Sequence, residues 1–316
     1  MTDYVLEPAA RKFADQASKP PHPHELGPEA ARKALNDIQA APVEMPDVDE
    51  QWVTVACHVG DVRVRIVRPP DVEDRLPAIL YLHGGGWILG NAGTHDRLVR
   101  ELAVGARAAV AFVEYTPSPE AQYPVALEQG YATARWLTTE GAAHRIDTSR
   151  IAVAGDSAGG NMVAALTILA KQRGDVTFVH QSMYYPVTDA GQDTGSYETF
   201  ADGPFLTAKT MAWFWDAYLP DRGSRGDIHV SPLRATTERL RGLPPAFVIV
   251  DEQDVLRDEG EAYAAHLRAA EVPVTTVRYD GIHHDFMMLN PLRQTAAAEA
   301  AIAQAAHVIQ QAMKGI

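Results

Sequence analysis

The sequence is poor in three features: cysteine, long apolar runs and positive charge. Cys57 is the single cysteine of the 316 residues, so no disulfide can form within the chain. NMVAALTILA, among the longest apolar runs, is too short to span a membrane. A net charge of −13 would repel a nucleic-acid backbone. The N-terminal stretch MTDYVLEPAARKFADQ lacks the apolar core of a secretory signal. We therefore predict a cytoplasmic protein with no membrane span and no nucleic-acid partner.

Strand-like and helix-like segments alternate through most of the chain. QWVTVACHV and DVRVRIVRP alternate in polarity around a Gly-Asp turn, which predicts an antiparallel hairpin. Six further strand-like runs are mostly apolar, as expected of strands covered by helices on both faces: PAILYLHG, AAVAFVEY, RIAVAGDS, VTFVHQSMYYP, PPAFVIVDE and PVTTVRY. The pattern predicts an α/β fold with a mostly parallel eight-stranded sheet flanked by helices.

Two segments fall outside this alternation. Residues 1–45 contain two helical stretches broken by KPPHPHELGP, and an insertion at about 188–233 contains the aromatic-rich helix GPFLTAKTMAWFWDAYLP. Open α/β sheets bind ligands at the carboxyl edge of their strands. We therefore expect both segments to form a helical cap over that edge of the main domain, residues 46–316.

GDSAGG, residues 155–160, follows an apolar strand and opens a helix. G-x-S-x-G in this context is typical of a nucleophile elbow, in which Gly155 and Gly159 allow close packing and Ser157 is exposed on a tight turn. The Ala158 N–H lies at a helix N-terminus, where the helix dipole favours negative charge.

A serine hydroxyl needs a base to remove its proton, and in this fold the acid and then the base follow the serine in sequence. Two downstream loops carry the candidates, and spacing alone does not choose among them: Asp251, Glu252, Asp254 and Asp258 in the first, His283, His284 and Asp285 in the second.

Four motifs in order, HGGGW, GDSAGG, DVLRDEG and GIHHDF, resemble the hormone-sensitive-lipase-like branch of the α/β-hydrolases, the bacterial family IV esterases and lipases. The resemblance covers about residue 50 to the C-terminus. It implies an α/β-hydrolase fold with a cap, and a serine carboxylesterase that hydrolyses short- to medium-chain acyl esters through an acyl-serine without a cofactor. Many members dimerise along the last strand of the sheet, so a homodimer is an expectation.

The resemblance also selects the site residues. The family pattern D-P-L-R-D matches at Asp254, the acid, and G-x-x-H-x-F matches at His284, the base, which leaves His283 to stabilise the loop. Val255 replaces the usual proline. YTPSPEAQYP lacks the arginine of the family's Y-R-L-A-P-E-type segment, a change that bears on substrate preference.

The glycine loop and its surroundings complete the expected site. Gly85 and Gly86, with Ala158, are the expected oxyanion donors, while Gly84 makes the turn. Asp156 is included in the binding site as a brace for the elbow. The expected pocket walls lie in loops at the catalytic edge or in the cap: Trp87, Tyr185, Phe205, Leu206 and Phe286.

Other functions remain open at this level. An amidase or formamidase would use the same triad, and a ligand-binding protein on an inactive hydrolase scaffold would lack part of it. The HPH at 22–24 and the HH at 283–284 have no supporting metal-ligand spacing, so no metal is expected. GGGWILG does not open a helix, which disfavours a dinucleotide site.

Overall fold

The computed structural model describes residues 5–314, and within them eight strands form one sheet. The order is β1-β2-β4-β3-β5-β6-β7-β8, with β2 antiparallel to both of its neighbours and the remaining pairs parallel. The strands are β1 Asp49–Val55, β2 Val62–Arg68, β3 Leu76–Leu82, β4 Ala109–Glu114, β5 Ile146–Asp156, β6 His180–Tyr184, β7 Ala246–Gln253 and β8 Val274–His283. The predicted fold class and the opening hairpin are confirmed.

Eleven α-helices connect and flank these strands in the described residues. They are α1 Pro8–Ala17, α2 Pro23–Leu26, α3 Pro28–Gln39, α4 Asp96–Ala106, α5 Val125–Thr139, α6 Ala158–Arg173, α7 Gly195–Thr199, α8 Ala208–Tyr218, α9 Thr237–Leu240, α10 Arg257–Ala269 and α11 Ala296–Ala312. No helix in this part of the chain combines the length and the apolar composition that crossing a membrane requires.

The core lies along the central strands β3, β4 and β5. Ile79, Leu80 and Val110 are fully buried, as expected for parallel strands covered on both faces. Burying such a side chain contributes about 1.5–3 kcal/mol. Helix α6, which follows β5, is buried along its first thirteen residues, 158–170. This packing holds the end of β5 rigidly, and Ser157 lies at that end.

The N-terminal segment differs from the prediction in one detail. We predicted two helices there, and the structure contains a third, α2, within the predicted break. Pro23 starts α2 at a position where a missing N–H costs nothing. The N–H of His22 donates to Oε2 of Glu25 at 2.7 Å, which caps this short turn.

Candidate active site

Ser157 lies on a strained turn between β5 and α6. Its φ of 52° falls in the left-handed region, which costs a non-glycine residue about 1–3 kcal/mol. The Ser157 N–H donates to the carbonyl of Tyr184 at 2.8 Å and ties the turn to β6. A Cβ on Gly155 would lie 2.5 Å from the carbonyl oxygen of Leu82. Glycine at that position therefore allows the close approach that holds the elbow.

Three loops bring Ser157, Asp254 and His284 together. Nε2 of His284 lies 2.9 Å from Oγ of Ser157, and its Nδ1 donates to Oδ2 of Asp254 at 2.7 Å. The N–H of Leu256 donates to the other oxygen, Oδ1 of Asp254, at 3.1 Å. All three side chains are almost completely buried. This arrangement allows His284 to take a proton from Ser157 while Asp254 fixes the imidazole tautomer.

Asp285, a candidate in the second loop that the family motif does not select, also faces the imidazole. Its Oδ1 lies 3.4 Å from Nε2 of His284, and it lines the cavity next to Ser157. Burial raises the pKa of Asp285 to about 6, although His284 acts in the opposite direction. Burial lowers the pKa of His284, but the carboxylates of Asp254 and Asp285 outweigh it and raise that pKa above its ordinary value. The imidazolium is therefore favoured by an anion at each nitrogen.

The glycine loop places backbone donors at the same cavity. Gly85 and Gly86 line it with φ of 99° and 60°, and within residues 5–314 neither N–H makes a hydrogen bond. A Cβ on Gly85 would lie 2.5 Å from the carbonyl oxygen of Leu89. The N–H of Leu89 donates to the carbonyl of Gly85 at 2.8 Å. The loop is thus a fixed turn with two N–H groups left for a ligand.

Asp156 lies beneath this loop, away from the cavity. It is fully buried and accepts hydrogen bonds from Tyr81 Oη at 2.6 Å and from His95 Nε2 at 3.2 Å. Burial raises its pKa, but these two groups outweigh burial and hold the pKa below its ordinary value. A Cβ on Gly84 would collide with the Asp156 carboxylate, so the two residues are in close contact. Asp156 therefore lies where it can brace both the elbow and the glycine loop.

The cavity above Ser157 has a volume of about 250 Å³ and walls that are mostly apolar. The N-terminal helices and the insertion contribute most of the lining: Gln16, Ala17, Lys19, Pro21, Pro23, Leu26, Ala34, Leu35, Ile38, Phe205, Leu206, Thr210 and Phe214. Ala34, Leu35 and Ile38 place one face of α3 against the cavity. An apolar ligand next to Ser157 would be enclosed by these segments.

Of the expected pocket walls, the structure brings Phe205 and Leu206 to the cavity. Trp87, Tyr185 and Phe286 lie behind its lining and are buried. Trp87 stacks on Tyr218, with ring centroids 4.2 Å apart, because the aromatic helix α8 covers the glycine loop. Tyr185 packs edge-on against His284 at 5.0 Å and on Phe286 at 5.6 Å. Tyr185 therefore contacts the base, and all three side chains lie behind the residues that line the cavity.

Metal-ligating side chains come together at one place in the described part of the chain. Asp251, Asp254 and His284 each offer one atom, all within 4.8 Å of one another. Asp254 and His284 already use hydrogen bonds to each other there, as described above. Asp251 lies near the end of β7, and its proximity to the imidazole follows from the fold and not from spacing.

The chain is similar in sequence to known hydrolases. A family model described as alpha/beta hydrolase fold matches residues 79–288. Carboxylesterase NlhH of Mycobacterium tuberculosis is 39% identical over 280 residues, which cover 87% of this chain and 86% of that protein. Ethyl acetate hydrolase of Pseudomonas putida is 34% identical over 279 residues, covering 86% and 87%.

Solved structures agree with the sequence comparisons. The crystal structure of a thermostable esterase from Pseudomonas putida superposes with a TM-score of 0.97 at 43% identity over the whole of both chains. A fungal esterase from Rhizomucor miehei gives a TM-score of 0.93 at 40% identity, with 98% of each chain covered.

Proposed function

Because the chain belongs to the α/β-hydrolase fold family, we propose that it is a carboxylesterase in which Ser157 is the nucleophile. The observation that carries the proposal is the continuous hydrogen-bonded chain from Ser157 Oγ through the imidazole of His284 to Asp254, with distances of 2.9 and 2.7 Å. Relatives that are 34–39% identical are named carboxylesterase and ethyl acetate hydrolase, which supports an ester as the substrate.

Acylation begins with proton transfer. Nε2 of His284 takes the hydroxyl proton of Ser157 as Oγ bonds to the ester carbonyl carbon, and Asp254 stabilises the imidazolium that forms. The tetrahedral intermediate then collapses, the alcohol oxygen leaves with the proton from His284, and an acyl-serine remains. Water loses a proton to His284, attacks the acyl carbon and releases the acid, so that Ser157 recovers its proton.

The negative oxygen of the tetrahedral intermediate needs donors that exist before it forms. The N–H groups of Gly85 and Gly86 have no partner in the described chain, and the Ala158 N–H lies at the N-terminus of α6. One such donor is typically worth about 3–4 kcal/mol at the transition state. We assign these three groups to the oxyanion hole. We assign Gly84 to the turn that positions the N–H groups of Gly85 and Gly86.

The cavity supports a proposal for the substrate class. Apolar side chains from α1–α3 and from the insertion enclose about 250 Å³ next to Ser157. We assign residues 1–45, of which the structure describes 5–45, and about 188–233 to a cap. We propose that short- to medium-chain acyl esters bind in the cavity. β8 lies at the edge of the sheet, where a homodimer of the expected kind would form. Light scattering in solution tests that dimer, and fractionation of cells tests the predicted cytoplasmic location.

A serine-directed fluorophosphonate and a short p-nitrophenyl ester test the proposal together. The wild-type protein should be labelled and should hydrolyse the ester, whereas Ser157→Ala should do neither and should keep its thermal transition. Ser149→Ala, an exposed serine at the opposite end of β5, is the matched control and should behave as wild type. Ester hydrolysis by Ser157→Ala near the wild-type rate would refute the proposal. An anilide with the same acyl group separates esterase from amidase activity.

A further inference from the structure

Asp251 is a buried carboxyl group that the proposed mechanism does not use. It lies near the end of β7, three residues before Asp254, and none of its surface is exposed. In the described part of the chain, neither of its oxygens accepts a hydrogen bond from an N–H or hydroxyl group. An ionised carboxylate left in that state would carry a large desolvation penalty. Protonation of the carboxyl group would avoid this penalty.

The ionisable neighbours of Asp251 indicate that it shares a proton with a second carboxyl group. Its carboxyl lies within 4.8 Å of ligand atoms of both Asp254 and His284. The charge of Asp285 also raises the pKa of Asp251, whereas the imidazole of His284 acts in the opposite direction and does not outweigh burial and Asp254. Two carboxylates this close in a water-excluded site do not both ionise, because each charge disfavours the other. One proton is therefore held between Asp251 and Asp254.

The hydrogen bonds of Asp254 decide which of the two holds that proton. Asp254 accepts from Nδ1 of His284 at 2.7 Å and from the N–H of Leu256 at 3.1 Å, so each of its oxygens already serves as an acceptor, whereas in the described residues neither oxygen of Asp251 does. Burial, followed by the charge of Asp254, raises the pKa of Asp251 well above its ordinary value. Asp251 is consequently the neutral member of the pair at neutral pH.

We propose that Asp251 is a positioning residue for the triad: its carboxyl O–H donates a hydrogen bond to the carboxylate of Asp254 and holds that carboxylate in line with Nδ1 of His284. Each carboxylate oxygen can accept two hydrogen bonds, so Asp254 has room for this third donor. The catalytic part of this inference rests on the proposed function, because it requires that His284 acts as the base. The shared proton itself does not.

Two substitutions of similar size distinguish the effect of the hydrogen-bond donor at position 251 from the effect of side-chain volume. Asp251→Asn keeps an N–H donor and cannot ionise, so kcat should stay within about threefold of wild type, since a donor to Asp254 remains. Asp251→Leu has no donor. It should lower kcat about 10- to 100-fold, the usual range for groups that orient a ligating or catalytic side chain, with little change in KM. Equal losses in both variants, or a fully active Asp251→Leu, would overturn the proposal.

Infrared spectroscopy tests the proton directly and covers the case in which Asp251→Leu fails to fold. The difference spectrum of wild type minus Asp251→Asn at neutral pH should contain the carbonyl stretch of a protonated carboxylic acid, shifted in D₂O. A difference spectrum with carboxylate bands only would overturn the proposal. This readout does not depend on ester hydrolysis. If Ser157→Ala remained active while the band was present, the proposed function would fail and the shared proton would stand.

Discussion

The imidazole of His283 stacks on the ring of Phe13, with centroids 5.7 Å apart and an interplanar angle of 21°. Phe205 lies 5.6 Å from the same imidazole and 5.4 Å from Phe13, so the three rings form one cluster. Phe13 belongs to α1 and Phe205 to the insertion, so His283 joins both parts of the proposed cap to the loop that carries His284. Its Nδ1 also donates to the carbonyl of His284 at 3.0 Å. Two consecutive histidines therefore have different surroundings.

These surroundings predict different losses for the two alanine variants. His284→Ala removes the proposed base and should lower kcat on the order of 10³-fold or more. His283→Ala removes packing, so it should lower the free energy of unfolding by about 1–3 kcal/mol and leave kcat within about tenfold of wild type. Steady-state ester hydrolysis and thermal unfolding measure the two effects. A larger kcat loss in His283→Ala than in His284→Ala would reverse the assignment of the base.

Gly85→Ala tests the oxyanion loop. The residue has a φ of 99°, and the new Cβ would lie 2.5 Å from the Leu89 carbonyl oxygen, so the loop must shift. A displaced donor should lower kcat about 10²- to 10³-fold with KM nearly unchanged, because the lost interaction exists only in the transition state. Gly226→Ala is the control, since its Cβ would meet nothing closer than 3.6 Å and lies outside the cavity. An effect of Gly85→Ala confined to KM would contradict this role.

Asp285→Asn should move the pH dependence of kcat/KM. The Asp285 carboxylate lies 3.4 Å from Nε2 of His284 and raises the pKa of that imidazole. Without this anion the pKa of His284 falls, so the acidic limb of the profile should shift to lower pH by about one unit. Asp280→Asn makes the same charge change at an exposed position of β8 and should leave the limb in place. A shift to higher pH in Asp285→Asn would show that Asp285 does not act through its charge.

Sequence motifs and hydrophobic periodicity predict the fold and most of the triad, because both depend on local chemistry. G-x-S-x-G after an apolar strand predicts a tight turn, and Ser157 lies on such a turn with a φ in the left-handed region. The roles of Asp251 and Asp285 could not be predicted in the same way. Each depends on which side chains of β7, β8 and their loops face each other after folding. Trp87 shows the same limit: it follows the glycine loop directly, but α8 packs over it and separates it from the cavity.

The size of the cavity predicts a preference in acyl length. About 250 Å³ enclosed by side chains such as Leu35 and Phe205 should accept butyrate and octanoate esters of p-nitrophenol better than palmitate. Phe205→Ala removes a ring from the wall and should raise the relative kcat/KM for the longer chains. Trp52→Ala, on the exposed edge strand β1, is an aromatic control that should leave the profile unchanged. A palmitate optimum in the wild-type protein would contradict the enclosed cavity.

Low pH should lower the free energy of unfolding through buried neutral histidines. His180 is suited to test this, because burial alone lowers its pKa. Burial lowers its pKa from 6.5 to about 4, so between these pH values the unfolded chain binds a proton that the folded chain does not. The free energy of unfolding therefore falls as pH drops through this window, by at most about 1.4 kcal/mol per pH unit from one group. Denaturant titrations should give a shallower pH slope for His180→Gln than for wild type. Exposed His58→Gln should keep the wild-type slope, and equal slopes in all three proteins would show that His180 is not held neutral.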